Sequence, residues 1–144
     1  MSFDPSADYP LGSRRPDLVT TASGTPVADV TLAALRDGRV RAEELRATPE
    51  TLRLQAEVAR AAGRDALAAN LARAAELAAV PDDALLEVYT ALRPHRSTGR
   101  QLDTWADRLE SEYGAAATAA FVREARAAYA ERGFLTEDER VEAL

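Results

Sequence analysis

The sequence lacks cysteine and lysine, and His95 is its only histidine. Without cysteine, the chain has no disulfides, thiolate nucleophiles or cysteine metal ligands. Without lysine, it has neither Schiff-base chemistry nor a phosphate-loop lysine. A single imidazole does not assemble a Ser-His-Asp arrangement or a paired-histidine metal site. We therefore predict no catalytic, cofactor-binding or metal-binding residues on this chain.

Large apolar side chains are also scarce. Isoleucine is absent, methionine and tryptophan occur once each, and 32 of the 67 hydrophobic positions are alanine. Apolar burial contributes roughly 0.8 kcal/mol per CH₂, so a buried alanine contributes far less than a buried leucine. A length of 144 residues favours one compact domain. We expect a thin core, closely approaching helices and a partner that completes the core.

The charge balance is acidic, since 24 Asp and Glu residues against 18 arginines give a net charge of -6. Nucleic-acid binding needs a clustered positive surface, so this balance argues against it. No stretch approaches the roughly 20 apolar residues of a membrane span, and the N-terminus does not resemble a signal peptide. We expect a soluble cytoplasmic protein that binds neither nucleic acid nor a membrane.

The pattern of the chain predicts a mainly α-helical fold in three parts. Residues 1–30 contain four prolines, which indicate an irregular N-terminal arm. Within this arm, extended segments flank Ala22-Ser23-Gly24 and predict a small hairpin or extended pair. Residues 31–133 predict a bundle of about five to six helices. Residues 134–144 predict a flexible tail or a short helix.

Helix termini are well marked in the sequence. Thr48-Pro49-Glu50 combines a hydroxyl cap, a first-turn proline and an acid. Thr98 and Gln101 form a capping box, and residues 136–139 repeat that pattern. Gly133 is the expected end of the last long helix. The predicted apolar faces are Leu67, Leu71, Ala74 and Ala78; Leu85, Val88, Tyr89 and Leu92; Leu102, Trp105, Ala106, Leu109 and Tyr113; and Ala117, Phe121, Ala125, Ala128 and Tyr129.

Three local features could carry chemistry. Asp82 and Asp83 could form a carboxylate pair, but acids after a proline at a helix start have a sufficient electrostatic reason to be there. His95 is better interpreted as a surface or interface residue. The basic cluster could bind a phosphate or a partner's carboxylate, or it could lie in a solvated loop. It consists of Arg93, Arg96 and Arg100.

Several sequence blocks match a known family in order and spacing, over residues 8–133. They are Asp8-Tyr9-Pro10-Leu11, Thr48 to Ala56, Arg73 to Leu77, Val80 to Asp83, Ala91 to Thr98 and Ala119 to Ala125. With these blocks, the chain closely resembles the small (gamma) subunit of adenosylcobalamin-dependent diol dehydratase and of its sister, glycerol dehydratase. Family members commonly carry an aromatic residue where His95 stands, which argues further against a catalytic imidazole.

The resemblance implies a place in a multi-subunit hydro-lyase. In that family, large, medium and small subunits form a dimer of heterotrimers, and a reactivating factor is a further partner. The large subunit is a TIM barrel that carries the substrate and metal site, and adenosylcobalamin lies between the large and medium subunits. A radical mechanism converts a 1,2-diol to an aldehyde and water. The small subunit is mostly helical, packs on the large subunit and supplies no catalytic residue.

The resemblance also bears on encapsulation and on substrate preference, and one alternative interpretation of the chain remains. Some members that enter bacterial microcompartments have a longer N-terminal leader than the seven residues before Asp8, so we expect encapsulation through partner subunits, if at all. The preference between propanediol and glycerol is left open, because substrate contacts belong to another chain. The rival interpretation is a stand-alone helical adaptor without enzymatic role, which rests on the helical pattern alone.

Ten residues are predicted to contact the large subunit, because they are too apolar or too specifically charged for a free surface. Arg93 and Arg96 are the sharper prediction, since a guanidinium pairs directionally with a partner carboxylate. The alternative is that both pair within the chain near helix ends. The full set is Tyr9, Pro10, Leu11, Arg93, Pro94, His95, Arg96, Phe121, Arg123 and Glu124.

The alanine-rich composition generates a prediction about stability. If a partner completes the thin core, the isolated chain should melt early or aggregate, because association stabilises the folded state by mass action. Thermal denaturation of the purified chain, followed by circular dichroism, measures this. A cooperative transition at high temperature for the chain alone contradicts the prediction.

Overall fold

Three threonine caps set helix starts in the computed structural model, which describes residues 2–137. The Thr48 hydroxyl accepts a hydrogen bond from the Thr51 N–H at 3.2 Å. The Thr31 hydroxyl accepts one from the Ala34 N–H at 3.1 Å. At Thr98 the capping box is complete, with reciprocal bonds between its backbone and side chain and those of Gln101. The helix starts predicted at Thr48 and Thr98 are therefore confirmed.

The described part of the chain contains seven α-helices and three short 3₁₀ turns, so the mainly α-helical prediction is confirmed. None of these helices is long and apolar enough to cross a membrane. The capping pattern at 136–139 and most of the predicted tail lie outside the described residues. The α-helices are α1 (Leu11–Arg14), α2 (Leu32–Arg36), α3 (Pro49–Ala61), α4 (Asp65–Leu77), α5 (Asp82–Ala91), α6 (Gly99–Tyr113) and α7 (Ala116–Arg132).

The arm contains an isolated antiparallel bridge between Thr20 and Pro26. The Thr21 N–H donates to the Thr25 carbonyl at 2.9 Å, and the Val27 N–H donates to the Val19 carbonyl at 3.0 Å. Proline has no N–H to donate, so Pro26 limits the ladder at this point. Within residues 2–137 no strand forms, and of the predicted hairpin or extended pair the structure shows this bridge alone.

The chain divides into two compact units, one ending at Ala78 and the other starting at Ala79. In the first, α3 and α4 pack on each other across the turn at Gly63. In the second, α6 and α7 pack on each other and α5 contacts α6. Gly114 joins α6 and α7 with a left-handed φ of 65°, and the next N–H then reaches the Leu109 carbonyl at 2.8 Å. The boundary falls inside the predicted helical domain, 31–133.

The core is built largely from alanine. Nine of the sixteen buried hydrophobic residues in the described part of the chain are alanine. The largest fully buried side chains, Leu102, Leu109 and Val122, all lie in the second unit. Small residues allow helix backbones to approach closely, so these helices meet over short side chains. This agrees with the thin core expected from composition.

Three predicted apolar faces are rotated or incomplete. On α7 the buried residues are Thr118, Ala119 and Val122, while Phe121 is 43% exposed. On α4, Ala68 and Ala75 are buried, and Leu67, which was predicted to be inside, is 38% exposed. On α5, Tyr89 is 61% exposed, against the prediction. Alanine occurs on every face of α4 and α7, so alanine-rich faces can be buried. The larger side chains Leu67 and Phe121 then lie partly exposed at the edge of the core.

Substitution of Leu109 tests how much this small core depends on a few leucines. Leu109→Ala should lower the free energy of unfolding of the second unit by about 2–5 kcal/mol, because a fully buried leucine leaves a cavity. Urea denaturation measures this loss. Leu86→Ala is the matched control, since Leu86 is 69% exposed and its loss should cost under about 0.5 kcal/mol. Equal losses for both variants contradict the assignment of the core.

Candidate interaction site

The turn after α5, residues 93–97, is held by the segment that follows α7. The His95 N–H donates to the Phe134 carbonyl at 2.7 Å, and the Thr136 N–H donates to the Ser97 carbonyl at 3.0 Å. The Tyr129 hydroxyl donates to the Leu92 carbonyl at 2.6 Å. These three bonds fix the backbone on both sides of the predicted Arg93–Arg96 interface turn. We call residues 93–97 the braced turn.

The ring of His95, in this turn, packs against an aromatic side chain. Its ring lies edge-on to Phe134, with centroids 5.5 Å apart, and Phe134 in turn lies edge-on to Tyr129 at 5.9 Å. The backbone at His95 is left-handed, with φ at 59°, a conformation that costs a residue with a Cβ about 1 kcal/mol. The hydrogen bond to Phe134 and the ring contact offset this cost. The geometry agrees with a surface or interface histidine.

Arg93 and Arg96 are exposed on the braced turn, together with Pro94 and His95. No carboxylate among residues 2–137 lies within ion-pairing distance of either guanidinium. The alternative of pairing within the chain is therefore not seen in the described residues. Contact of this turn with a partner stays a prediction.

The predicted interface residues on α7 have different surroundings. The Arg123 guanidinium lies 2.8 Å from both Asp107 and Glu110 of α6. Hydrogen bonds to these two carboxylates, Asp107 first, raise the pKa of Arg123. Arg123 therefore links α6 to α7 within the second unit. Phe121 and Glu124 are exposed and remain predicted contacts.

The arm residues Tyr9, Pro10 and Leu11 lie beside a groove of about 740 Å³ in the first unit. Leu11 is 7% exposed and lines this groove together with Val58 and Leu71. Tyr9, by contrast, is 60% exposed. Leu11 is thus the buried residue of this part of the arm, whereas Tyr9 and Pro10 are exposed.

Arg15 holds the arm through two carboxylates. Its guanidinium lies 3.0 Å from Asp8 and 2.9 Å from Asp17, and its side chain is 16% exposed. The Asp4 N–H, at 2.9 Å from the carboxylate, is the main cause that lowers the pKa of Asp8, and Arg15 adds to it. The Arg15 hydrogen bond is the main cause that lowers the pKa of Asp17. Sequence reasoning missed this clamp, although alternating charges at 8, 15 and 17 signal it.

The acidic pair at the start of α5 has a local structural role. The Asp83 carboxylate accepts a hydrogen bond from the Ala84 N–H at 2.9 Å, in the first turn of the helix. Residues 2–137 contain no group of three or more side chains placed to hold a metal ion. The one imidazole among the described residues, that of His95, lies edge-on to Phe134.

One protein-family model matches almost the whole length of the chain. The model of the family described as "Dehydratase small subunit" matches residues 5–136. The chain belongs to the dehydratase small-subunit family. The match covers nearly all of the described residues and both compact units, so the resemblance drawn from the sequence blocks is confirmed.

Two curated relatives within this dehydratase family are similar over most of the chain. A protein of Citrobacter freundii named "Propanediol dehydratase small subunit" is 54% identical over 132 residues, which are 92% of this chain and 77% of that protein. A protein of the same name from Salmonella typhimurium strain LT2 is 53% identical over 133 residues, with the same coverage. Both names describe a small subunit, in agreement with the family model.

The arm clamp generates a prediction about pH. Because the pKa values of Asp8 and Asp17 are lowered from 3.8, their contribution to stability is complete above about pH 5 and is lost as the pH falls through the folded-state pKa values. Arg15→Gln should raise the pKa of Asp17 more than that of Asp8, since the Asp4 N–H still serves Asp8. NMR titration of the carboxyl carbons measures both values.

Arg14→Gln is the matched control for this titration, since Arg14 is the exposed neighbour of Arg15 and forms no ion pair within residues 2–137. It should leave both titrations as they are in the natural sequence. Ordinary pKa values for Asp8 and Asp17 in the unchanged chain are the result that argues against the clamp.

Proposed function

We propose that the chain is the small, non-catalytic subunit of a coenzyme B12-dependent propanediol dehydratase. The observation that carries this proposal is 54% identity, over 92% of the chain, to a protein named as such a small subunit. The chain would pack on the catalytic large subunit and stabilise it. Its helices pack on an alanine-rich core and expose several large apolar side chains, and residues 2–137 contain no metal-ligating cluster. Both features are compatible with that role.

The proposed complex contains large and medium subunits as well as this chain, in a dimer of heterotrimers. Adenosylcobalamin, bound between the large and medium subunits, would supply the radical chemistry that converts a 1,2-diol to an aldehyde and water. The residues of this chain would serve assembly. Tyr9, Pro10 and the braced turn are the proposed contacts with the large subunit, together with Phe121 and Glu124 on α7.

The finer points of this proposal follow the same resemblance. Leu11 and Arg123 would support the interface from within, because one is buried and the other is bound to α6. A reactivating factor is a further proposed partner of the complex. We propose that the complex works in the cytoplasm, where partner subunits could carry it into a bacterial microcompartment.

A glycerol dehydratase small subunit is the second candidate function. It is supported by the likeness of the two enzyme families, whereas the names of both relatives favour propanediol. The stand-alone adaptor has weaker support, since it rests on a helical pattern that the small-subunit family shares.

Co-expression tests the proposed function. The chain, tagged for purification, is expressed with the large and medium subunit genes of the same genome, and aldehyde formation is assayed with adenosylcobalamin. We expect both partners to co-purify, and we expect activity on 1,2-propanediol to exceed activity on glycerol. A matched preparation without this chain should lose most of its activity. Failure to co-purify a large subunit, or full activity without the chain, overturns the proposal.

A further inference from the structure

One side of α5 presents large apolar side chains to solvent. Leu86 is 69% exposed and Tyr89 is 61% exposed. Arg93, two residues beyond the end of α5, is exposed as well. Two large apolar side chains at this exposure, in a chain with few of them, mark a surface that gains from being covered.

A groove of about 490 Å³ lies next to Leu86. Leu86 and Ala91 line it from α5, Trp105 lines it from α6, and Arg96 lines it from the braced turn. Trp105 is half-buried, and the Arg108 guanidinium lies 4.5 Å from the centre of its ring. The groove therefore combines three apolar residues with one arginine, one glutamate and three uncharged polar residues, all within the second unit.

The charges around the groove identify the chemistry of its occupant. Arg93 and Arg96 have no carboxylate within ion-pairing distance among residues 2–137, although the chain as a whole has a net charge of -6. Glu87 also lines the groove, yet it forms no such pair with Arg96. Arg108, Arg123 and Arg126 in the same unit are all paired. The braced turn thus offers a carboxylate two guanidinium groups that form no ion pair with residues 2–137.

The braced turn also reduces the cost of binding. The His95 N–H donates to the Phe134 carbonyl and the Ser97 carbonyl accepts from the Thr136 N–H, while the Leu92 carbonyl just before the turn accepts from the Tyr129 hydroxyl. A partner that binds there does not have to order the turn, so less conformational entropy is lost on association. Exposed cationic groups next to exposed apolar side chains match the composition of interaction hot spots, which are rich in tyrosine, tryptophan and arginine.

We propose that Leu86, Tyr89, Arg93, Arg96 and the groove lined by Trp105 form one docking face for the large dehydratase subunit. The occupant is a segment of that subunit with at least one carboxylate, which pairs with the two arginines, and an apolar side chain that enters the groove. This inference rests on the proposed function and assigns α5, with the turn after it, as the surface that holds the complex together.

Paired variants test the docking face in the co-expressed complex. Tyr89→Ala with Arg96→Glu should reduce co-purification of the partner subunits by about tenfold or more, because truncation and charge reversal remove two hot-spot contacts. Leu32→Ala with Arg36→Glu is the matched control on α2: Leu32 is 71% exposed, and Arg36 has no ion pair among the described residues. The control should assemble within about twofold of the unchanged chain, since exposed positions outside the face contribute little. Circular dichroism should show that both variant chains keep their helical content.

Crosslinking identifies the occupant. A benzoylphenylalanine placed at Tyr89 in the full complex should crosslink a large-subunit peptide that contains Asp or Glu, and Arg93→Glu should abolish that product. Raising the salt concentration from 0.1 to 1 M shortens the Debye length from about 10 Å to about 3 Å and should weaken the capture. A crosslink to a peptide without an acidic residue, or to a second copy of this chain, overturns the proposal.

The outcomes separate this inference from the proposed function. If the unchanged chain assembles and the Tyr89 and Arg96 variant assembles equally well, the docking face is wrong while the proposed function stands. If the α2 control loses partners to the same extent, the specific assignment to α5 is also wrong. If the unchanged chain captures no dehydratase subunit, both are overturned. Selective loss in the α5 variant, with an acidic crosslinked peptide, supports the proposal.

Discussion

The scarcity of large apolar side chains is the constraint on which the structure depends. The helices meet over alanine, and Leu102, Leu109 and Val122 are the largest side chains that they fully enclose among the described residues. Short side chains allow close helix packing but remove little apolar surface from water. Larger residues such as Leu86 and Tyr89 then lie outside, where they stabilise the protein only if something covers them. A thin core and an apolar surface are therefore two consequences of one composition.

Hydrogen bonds and ion pairs fix the conformation of segments that bury few large apolar side chains. The Tyr129 hydroxyl and the backbone after α7 hold the braced turn, and Arg15 holds the arm between two carboxylates. Arg123 joins α6 to α7 in the same way. Such bonds are directional, so they fix geometry even when each adds little net stability. The candidate interaction surfaces are consequently ordered before any partner binds.

Membership in the dehydratase small-subunit family gives these features a common explanation. In the proposed function, the chain assists a catalytic partner and needs an ordered surface more than it needs a reactive pocket. His95 illustrates this, because its ring packs edge-on against Phe134. The same turn leaves Arg93 and Arg96 exposed and without an ion pair to the described residues, which suits recognition of a carboxylate on another chain.

The sequence by itself determined the helical class, the family and the helix starts at Thr48 and Thr98, because caps act within about four residues. It could not determine which face of α4 or of α7 is buried, since alanine occurs on every face of both helices and no single face is clearly more apolar. Nor could it show that Arg123 forms ion pairs within the chain while Arg93 does not do so with residues 2–137. Only the packing of α6 on α7 brings Asp107 and Glu110 next to Arg123. Ion pairing between distant residues and the choice of buried face are decided by tertiary packing, whereas capping is decided locally.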